Sequence, residues 1–162
     1  SLGVADMRTL AQEVTGTFDV VIACDNALPH LLTDADLRLA AANIATKLRP
    51  GGLFLASIRD YDHLAQARPD SETPRVLDGP DGRRISFQVW DWAFDGETYQ
   101  VHQFLLRQRG DGWRTDHFET PYRALLRADL DLALRAAGFE RTRWHEPDVS
   151  GYYQPIVTAR TR

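Results

Sequence analysis

The chain has 162 residues, room for about one domain at ~150 residues each. Hydrophobic residues make up 43% and charged residues 26%, ordinary globular usage that excludes a disordered chain or a low-complexity fibre. Against 23 Asp and Glu there are only 19 Lys and Arg, so the net charge of −4 gives no global electrostatic case for nucleic acid or an anionic membrane.

The first clear element is Phe18-Asp19-Val20-Val21-Ile22-Ala23-Cys24, short, β-branched and nearly all apolar. That composition predicts a strand buried on both faces of a parallel sheet. The polar turn Asp25-Asn26-Ala27-Leu28-Pro29-His30 follows, its proline unable to continue a strand. Thr33 precedes Asp34 and Asp36, a helix N-cap with acids in the first turn, and Leu37, Ala41, Ile44 and Leu48 then mark one apolar helical face. Arg49-Pro50-Gly51-Gly52 is expected to stop that helix, and Leu53 to Ile58 reads as a second buried strand. Strand, helix and strand in this order make a βαβ unit.

Residues 66–80, rich in Pro, Asp, Ser and Gly, read as a loop. Beyond it, Arg84 to Trp92 and Tyr99 to Arg107 alternate apolar and polar residues, and Trp113 to Phe118 is a third strand after the Gly110-Asp111-Gly112 turn. The three form an expected antiparallel meander. The end returns to α/β: a helix over Leu126 to Ala137 closed by Gly138, then strands at Phe139 to Trp144 and Ile156 to Ala159. The resulting division is 1–65, 66–122 and 123–162. No apolar run approaches the ~20 residues that span a bilayer. Cys24 is the only cysteine and cannot form an internal disulfide, so the expected location is cytoplasmic.

Val4-Ala5-Asp6-Met7, Phe18-Asp19-Val20-Val21 and Leu48-Arg49-Pro50-Gly51-Gly52-Leu53-Phe54, in that order, resemble the later motifs of class I S-adenosylmethionine-dependent methyltransferases. Asn26 four residues before His30, and Arg59 shortly before Tyr61-Asp62, are similar to the glycine/sarcosine N-methyltransferase branch. The resemblance implies the C-terminal part of a Rossmann-like fold, with the three-stranded meander inserted on the substrate side. It implies S-adenosylmethionine as cofactor and methyl transfer to the amine of glycine, sarcosine or a similar small molecule. A methyltransferase with a different acceptor, or a non-catalytic fragment acting in protein association, are the alternatives.

The family's opening strand, its Gly-x-Gly turn and its ribose-binding acid have no counterpart here. Gly110-Asp111-Gly112 leads into a strand and is a hairpin turn. The expectation is therefore a chain lacking roughly the first three strands of such an enzyme and binding the cofactor weakly or not at all. An apolar first strand without its usual neighbour leaves backbone groups unpaired, which predicts a homo-oligomer.

By resemblance, Asp6 accepts from the adenine amino group, Met7 packs on the ring, and His30 binds cofactor. Asn26 contacts the reacting amine and the methionine end of the cofactor, though Asn-Ala after a strand is also a plain turn former. Arg59 suits a bidentate grip on the substrate carboxylate, against the alternative of an ion pair with Asp60 or Asp62. Tyr122 and Tyr153 could line an aromatic pocket for the methylsulfonium, or simply be core and rim residues. His63, His102, His117 and His145 show no metal-ligand spacing along the sequence, and the absence of cysteines besides Cys24 leaves zinc without support.

Overall fold

The computed structural model describes residues 2–80 and 82–162, in two compact units. One runs through His63 and resumes at Leu125; the other is Leu64–Ala124.

The first unit holds a four-stranded sheet of β1 (Phe18–Ala23), β2 (Leu48–Ser57), β7 (Glu140–His145) and β8 (Ile156–Arg160), in the order β1-β2-β8-β7. β1 and β2 run parallel and are joined by helix α2 (Asp34–Thr46), the βαβ unit expected from the sequence. β8 is antiparallel to both β2 and β7. Thr33 caps α2 reciprocally: its Oγ1 accepts from Asp36 N–H at 3.1 Å and donates to the Asp36 carboxylate at 2.8 Å. Helix α4 (Arg127–Ala136) ends in a Schellman motif, with Phe139 N–H bonded to Leu134 O and Gly138 N–H to Arg135 O, both at 3.0 Å. Gly138 takes the left-handed φ of +87° that this motif needs.

The apolar sides of α2 and α4 meet, and Leu37, Ala41, Ile44, Leu130 and Leu134 are all buried. Phe54, Ala56, Val157 and Ala159 form the covered face of the sheet, and the Phe54 and Phe139 rings lie 5.6 Å apart. The only lysine, Lys47, is buried. Its ammonium donates to the carbonyls of Ala11 and Val14, tethering the short helix α1 (Leu10–Glu13).

Two expectations need correction in this unit. β1 is not buried on both faces: Phe18, Val20 and Ile22 are 44%, 46% and 63% exposed. Alternation puts these three on one side of the strand, at the edge of the described sheet. Arg49-Pro50-Gly51-Gly52 does not cap α2, which ends at Thr46 with Lys47 as its cap residue. The four residues lie inside β2 as a bulge, since Phe18 pairs with Leu48 but Val20 already pairs with Leu53. Gly51 adopts φ +74°, and a Cβ on Gly52 would stand 2.8 Å from Arg49 O, so both glycines serve the bulge.

The second unit is an antiparallel sheet in the order β3-β4-β5-β6, formed by β3 (Arg75–Gly79), β4 (Gly82–Trp92), β5 (Thr98–Arg109) and β6 (Gly112–Arg123). The meander was expected with three strands. β3 is a fourth, built from residues whose Pro, Asp and Gly content suggested a loop, and stabilised by pairing with β4. The register places Trp90, Trp92, Tyr99 and Tyr122 on one face and Asp91, His102, Phe104, His117 and Glu119 on the other. The short helix α3 (Tyr61–Ala67) spans the point where the chain passes from the first unit to the second.

Candidate active site

The carboxyl-terminal ends of β1 and β2 are adjacent, because the strands are parallel and Ala23 pairs with Ala56. Two residues after β1, Asp25 and Asn26 both take left-handed backbone conformations, at φ +58° and +64°. Asn and Asp tolerate this region better than other non-glycine residues, but two in succession store strain that neighbouring bonds must hold. Those bonds come from β2. Asp25 N–H donates to Ser57 Oγ at 2.8 Å, and Asn26 N–H donates to Ser57 O at 3.1 Å. Ser57 in turn donates to Gln154 Oε1 at 3.1 Å, from the loop before β8.

The Asn26 side chain completes the knot. Arg59 N–H donates to its Oδ1 at 3.1 Å, and Tyr61 Oη lies 2.8 Å from Nδ2 and 3.1 Å from Oδ1. Asn26 and Tyr61 are buried, whereas Arg59 is half-buried. On the other side, the Tyr153 hydroxyl donates to the exposed Asp25 carboxylate. Desolvation of the phenol, followed by this bond to Asp25, raises the Tyr153 pKa.

The structure thus brings Asn26, Arg59 and, through Asp25, Tyr153 into one cluster. His30 ends the 3₁₀ turn Leu28–His30, directly beyond Asn26. Its ring is reached by solvent yet crowded enough that desolvation lowers its pKa. Asp6 and Met7 precede α1 in a separate segment. Both Asp6 carboxylate oxygens are engaged by Arg8, whose side-chain hydrogen bonds lower the Asp6 pKa to about 2. Arg8 also reaches Asp36 at 3.2 Å, which ties this segment to α2. Tyr122 belongs to the other unit, where its ring stacks 5.7 Å from that of Tyr99.

The acids on either side of Tyr61 face a residue the sequence did not single out. Arg127, the first residue of α4, forms a two-pronged pair with Glu146 and lies 3.6 Å from Asp60 and 3.4 Å from Asp62. Its guanidinium also lies 5.1 Å from the centre of the Trp144 ring, and Trp144 donates to Asp131 at 3.1 Å. Tyr61, Ser57 and Gln154 are the other members missed. For Ser57 and Tyr61 a signal existed, since each is a hydroxyl residue at a strand end or just beyond it. Arg127 and Gln154 lie far away in the chain and carry no local mark.

No profile of a known protein family matches the chain. Among curated proteins, glycine/sarcosine N-methyltransferase of Parasynechococcus marenigrum is 36% identical over 112 residues, which are 64% of this chain and 40% of that protein. The glycine/sarcosine N-methyltransferase of Halorhodospira halochloris is 27% identical over 110 residues, 64% of this chain and 41% of that protein. The matches thus span about two fifths of these relatives' length. Among solved structures, the S-adenosylmethionine-bound amino pentose methyltransferase CalS10 of Micromonospora echinaspora superposes with a TM-score of 0.78 at 21% identity, covering 98% of this chain and 63% of that one. The chain shares the fold of solved S-adenosylmethionine-dependent methyltransferases, and in sequence it resembles the glycine/sarcosine N-methyltransferases.

Proposed function

We propose that the protein carrying this chain transfers a methyl group from S-adenosylmethionine to the amine of glycine, sarcosine or a similar small amino acid. The observation that carries this reading is the bond from Arg59 N–H to Asn26 Oδ1. It joins two candidate residues at the carboxyl ends of neighbouring parallel strands, where open α/β sheets receive ligands.

The residues present fit the cofactor in chemical kind. Asp6 stays ionised over the whole physiological range, so its carboxylate is an acceptor suited to an exocyclic amino group. Met7, half-buried beside it, offers apolar surface to a purine, and His30 and Asn26 complete the proposed binding set. When bound, the sulfonium supplies the electrophilic methyl group, and no nucleophilic side chain is required of the protein.

The chain's own contribution is alignment. Arg59 grips the substrate carboxylate through two N–H groups and thereby points the amine along the line of displacement. Asn26 and Tyr61 fix the backbone that carries Arg59. The amine must be neutral when it attacks, and the exposed Asp25 carboxylate, held by Tyr153, takes its proton directly or through water.

Isotope-labelled S-adenosylmethionine, incubated with the full gene product and glycine, sarcosine, an amino sugar or a catechol, reads the acceptor. Label in the two amino acids supports the proposal. Label in neither of them, or only in the sugar or the catechol, contradicts it.

A further inference from the structure

On the face of the second unit opposite its aromatic row, three side chains from two adjacent strands converge. His102 of β5 stands opposite Glu119 of β6 in the register, and His117 lies diagonally beside it. One ligand atom from each of the three lies within 4.8 Å of the others. His102 Nδ1 is 3.0 Å from His117 Nε2 and 3.7 Å from a Glu119 oxygen. We propose that His102, His117 and Glu119 form a binding site for a divalent transition-metal ion, with Zn2+ the best match.

The donor set selects the metal. Two imidazole nitrogens and one carboxylate suit Zn2+ or its first-row neighbours, while Mg2+ and Ca2+ favour all-oxygen shells. The spacing suits it as well. Tetrahedral bonds of about 2.05 Å put neighbouring ligand atoms roughly 3.3 Å apart, so the two nitrogens need to part by only a few tenths of an ångström. Glu119, 3.7 Å from His102 Nδ1, closes by a similar few tenths of an ångström through rotation of an exposed side chain.

A fourth residue sets the protonation. Asp91 of β4 lies 3.0 Å from His102 Nε2, from which its carboxylate accepts a hydrogen bond. That bond keeps the proton on Nε2 and leaves Nδ1 as a lone pair turned toward His117 and Glu119. Carboxylate–histidine–metal triads use the same arrangement to orient a ligating ring and raise its basicity. His117 needs only to carry its proton on Nδ1 to present Nε2 as the second donor. Its ring is stacked on Phe104, with centroids 4.7 Å apart, which limits the orientations it must give up on binding. Three protein ligands leave the fourth position to water on an exposed sheet face. The ion links β5 to β6 across the meander.

The test is a zinc titration of the chain, freed of any affinity tag, in competition with a chromophoric chelator. Cobalt substitution is followed by its visible absorption. The proposal expects one equivalent bound with a micromolar or lower Kd and a Co2+ spectrum of tetrahedral type. His117→Ala should weaken binding at least tenfold and Asp91→Asn by 10- to 100-fold, the usual cost of losing such an outer partner. Glu119→Gln, nearly isosteric and exposed, keeps the test valid should the alanine variant misfold. His63→Ala, outside this unit's sheet, should leave binding unchanged. Zinc affinity equal in the wild type, Asp91→Asn and Glu119→Gln chains overturns the proposal, as does loss of binding on His63→Ala alone.

Discussion

The Tyr61 hydroxyl lies within 3.1 Å of both the oxygen and the nitrogen of the Asn26 side-chain amide, and both residues are buried. The amide nitrogen has no other bonding partner among the described residues, so removing the hydroxyl strands a polar group away from water. Tyr61→Phe is therefore expected to cost about 1–3 kcal/mol. A shifted midpoint of urea unfolding at unchanged slope measures it, and an unshifted midpoint removes Tyr61 from the account.

Asn26 separates backbone strain from side-chain bonding. At φ +64° a glycine is comfortable and an alanine is not, yet both delete the acceptor that satisfies Arg59 N–H. Asn26→Gly and Asn26→Ala should both destabilise the chain, the alanine variant by about 1 kcal/mol more. Equal losses in the two variants would mean that the left-handed backbone is not maintained in solution.

The Arg127 cluster predicts an acid dependence. The side-chain hydrogen bond from Arg127 lowers the Glu146 pKa below its ordinary 4.5. A carboxylate depressed in the folded state contributes its full stability above the unfolded value and loses it as pH falls through the folded one. Glu146→Gln should thus destabilise the chain at pH 7, and the gap from wild type should shrink progressively below pH 4.5. Glu146 is largely exposed, so the effect is small, and a gap that widens on acidification contradicts it.

The outer edge of β1 and its exposed Phe18, Val20 and Ile22 favour self-association. Light scattering should find a dimer or larger assembly, shifted toward monomer by Ile22→Lys. A wild-type chain that is monomeric at tens of micromolar contradicts this expectation.

What the sequence made legible follows from range. The βαβ unit, the α4 helix and the three long meander strands announce themselves through local periodicity, and Thr33 and Gly138 through cap chemistry. The Arg49–Gly52 bulge looked like a helix stop, because Pro-Gly-Gly serves both purposes and only pairing with β1 decides between them. β3 was hidden for the same reason, since its residues become a strand only through the ladder with β4. Within the site, Asn26 and Arg59 stood out by position at strand ends. Among the partners that hold them, Gln154 reaches Ser57 from 97 residues along the chain, a separation no local pattern reports. The histidine cluster was missed because cross-strand register, and not spacing along the chain, brings His102, His117 and Glu119 together.

The most direct test of the central claim is the concentration dependence of methyl transfer by the full gene product with Arg59→Lys. A bidentate grip on the substrate carboxylate is worth about 2–4 kcal/mol, so the account predicts a loss of roughly 30- to 1,000-fold in kcat/KM for the amino acid. The KM for S-adenosylmethionine should stay near its wild-type value. An unchanged kcat/KM for the amino acid would show that Arg59 does not hold the substrate.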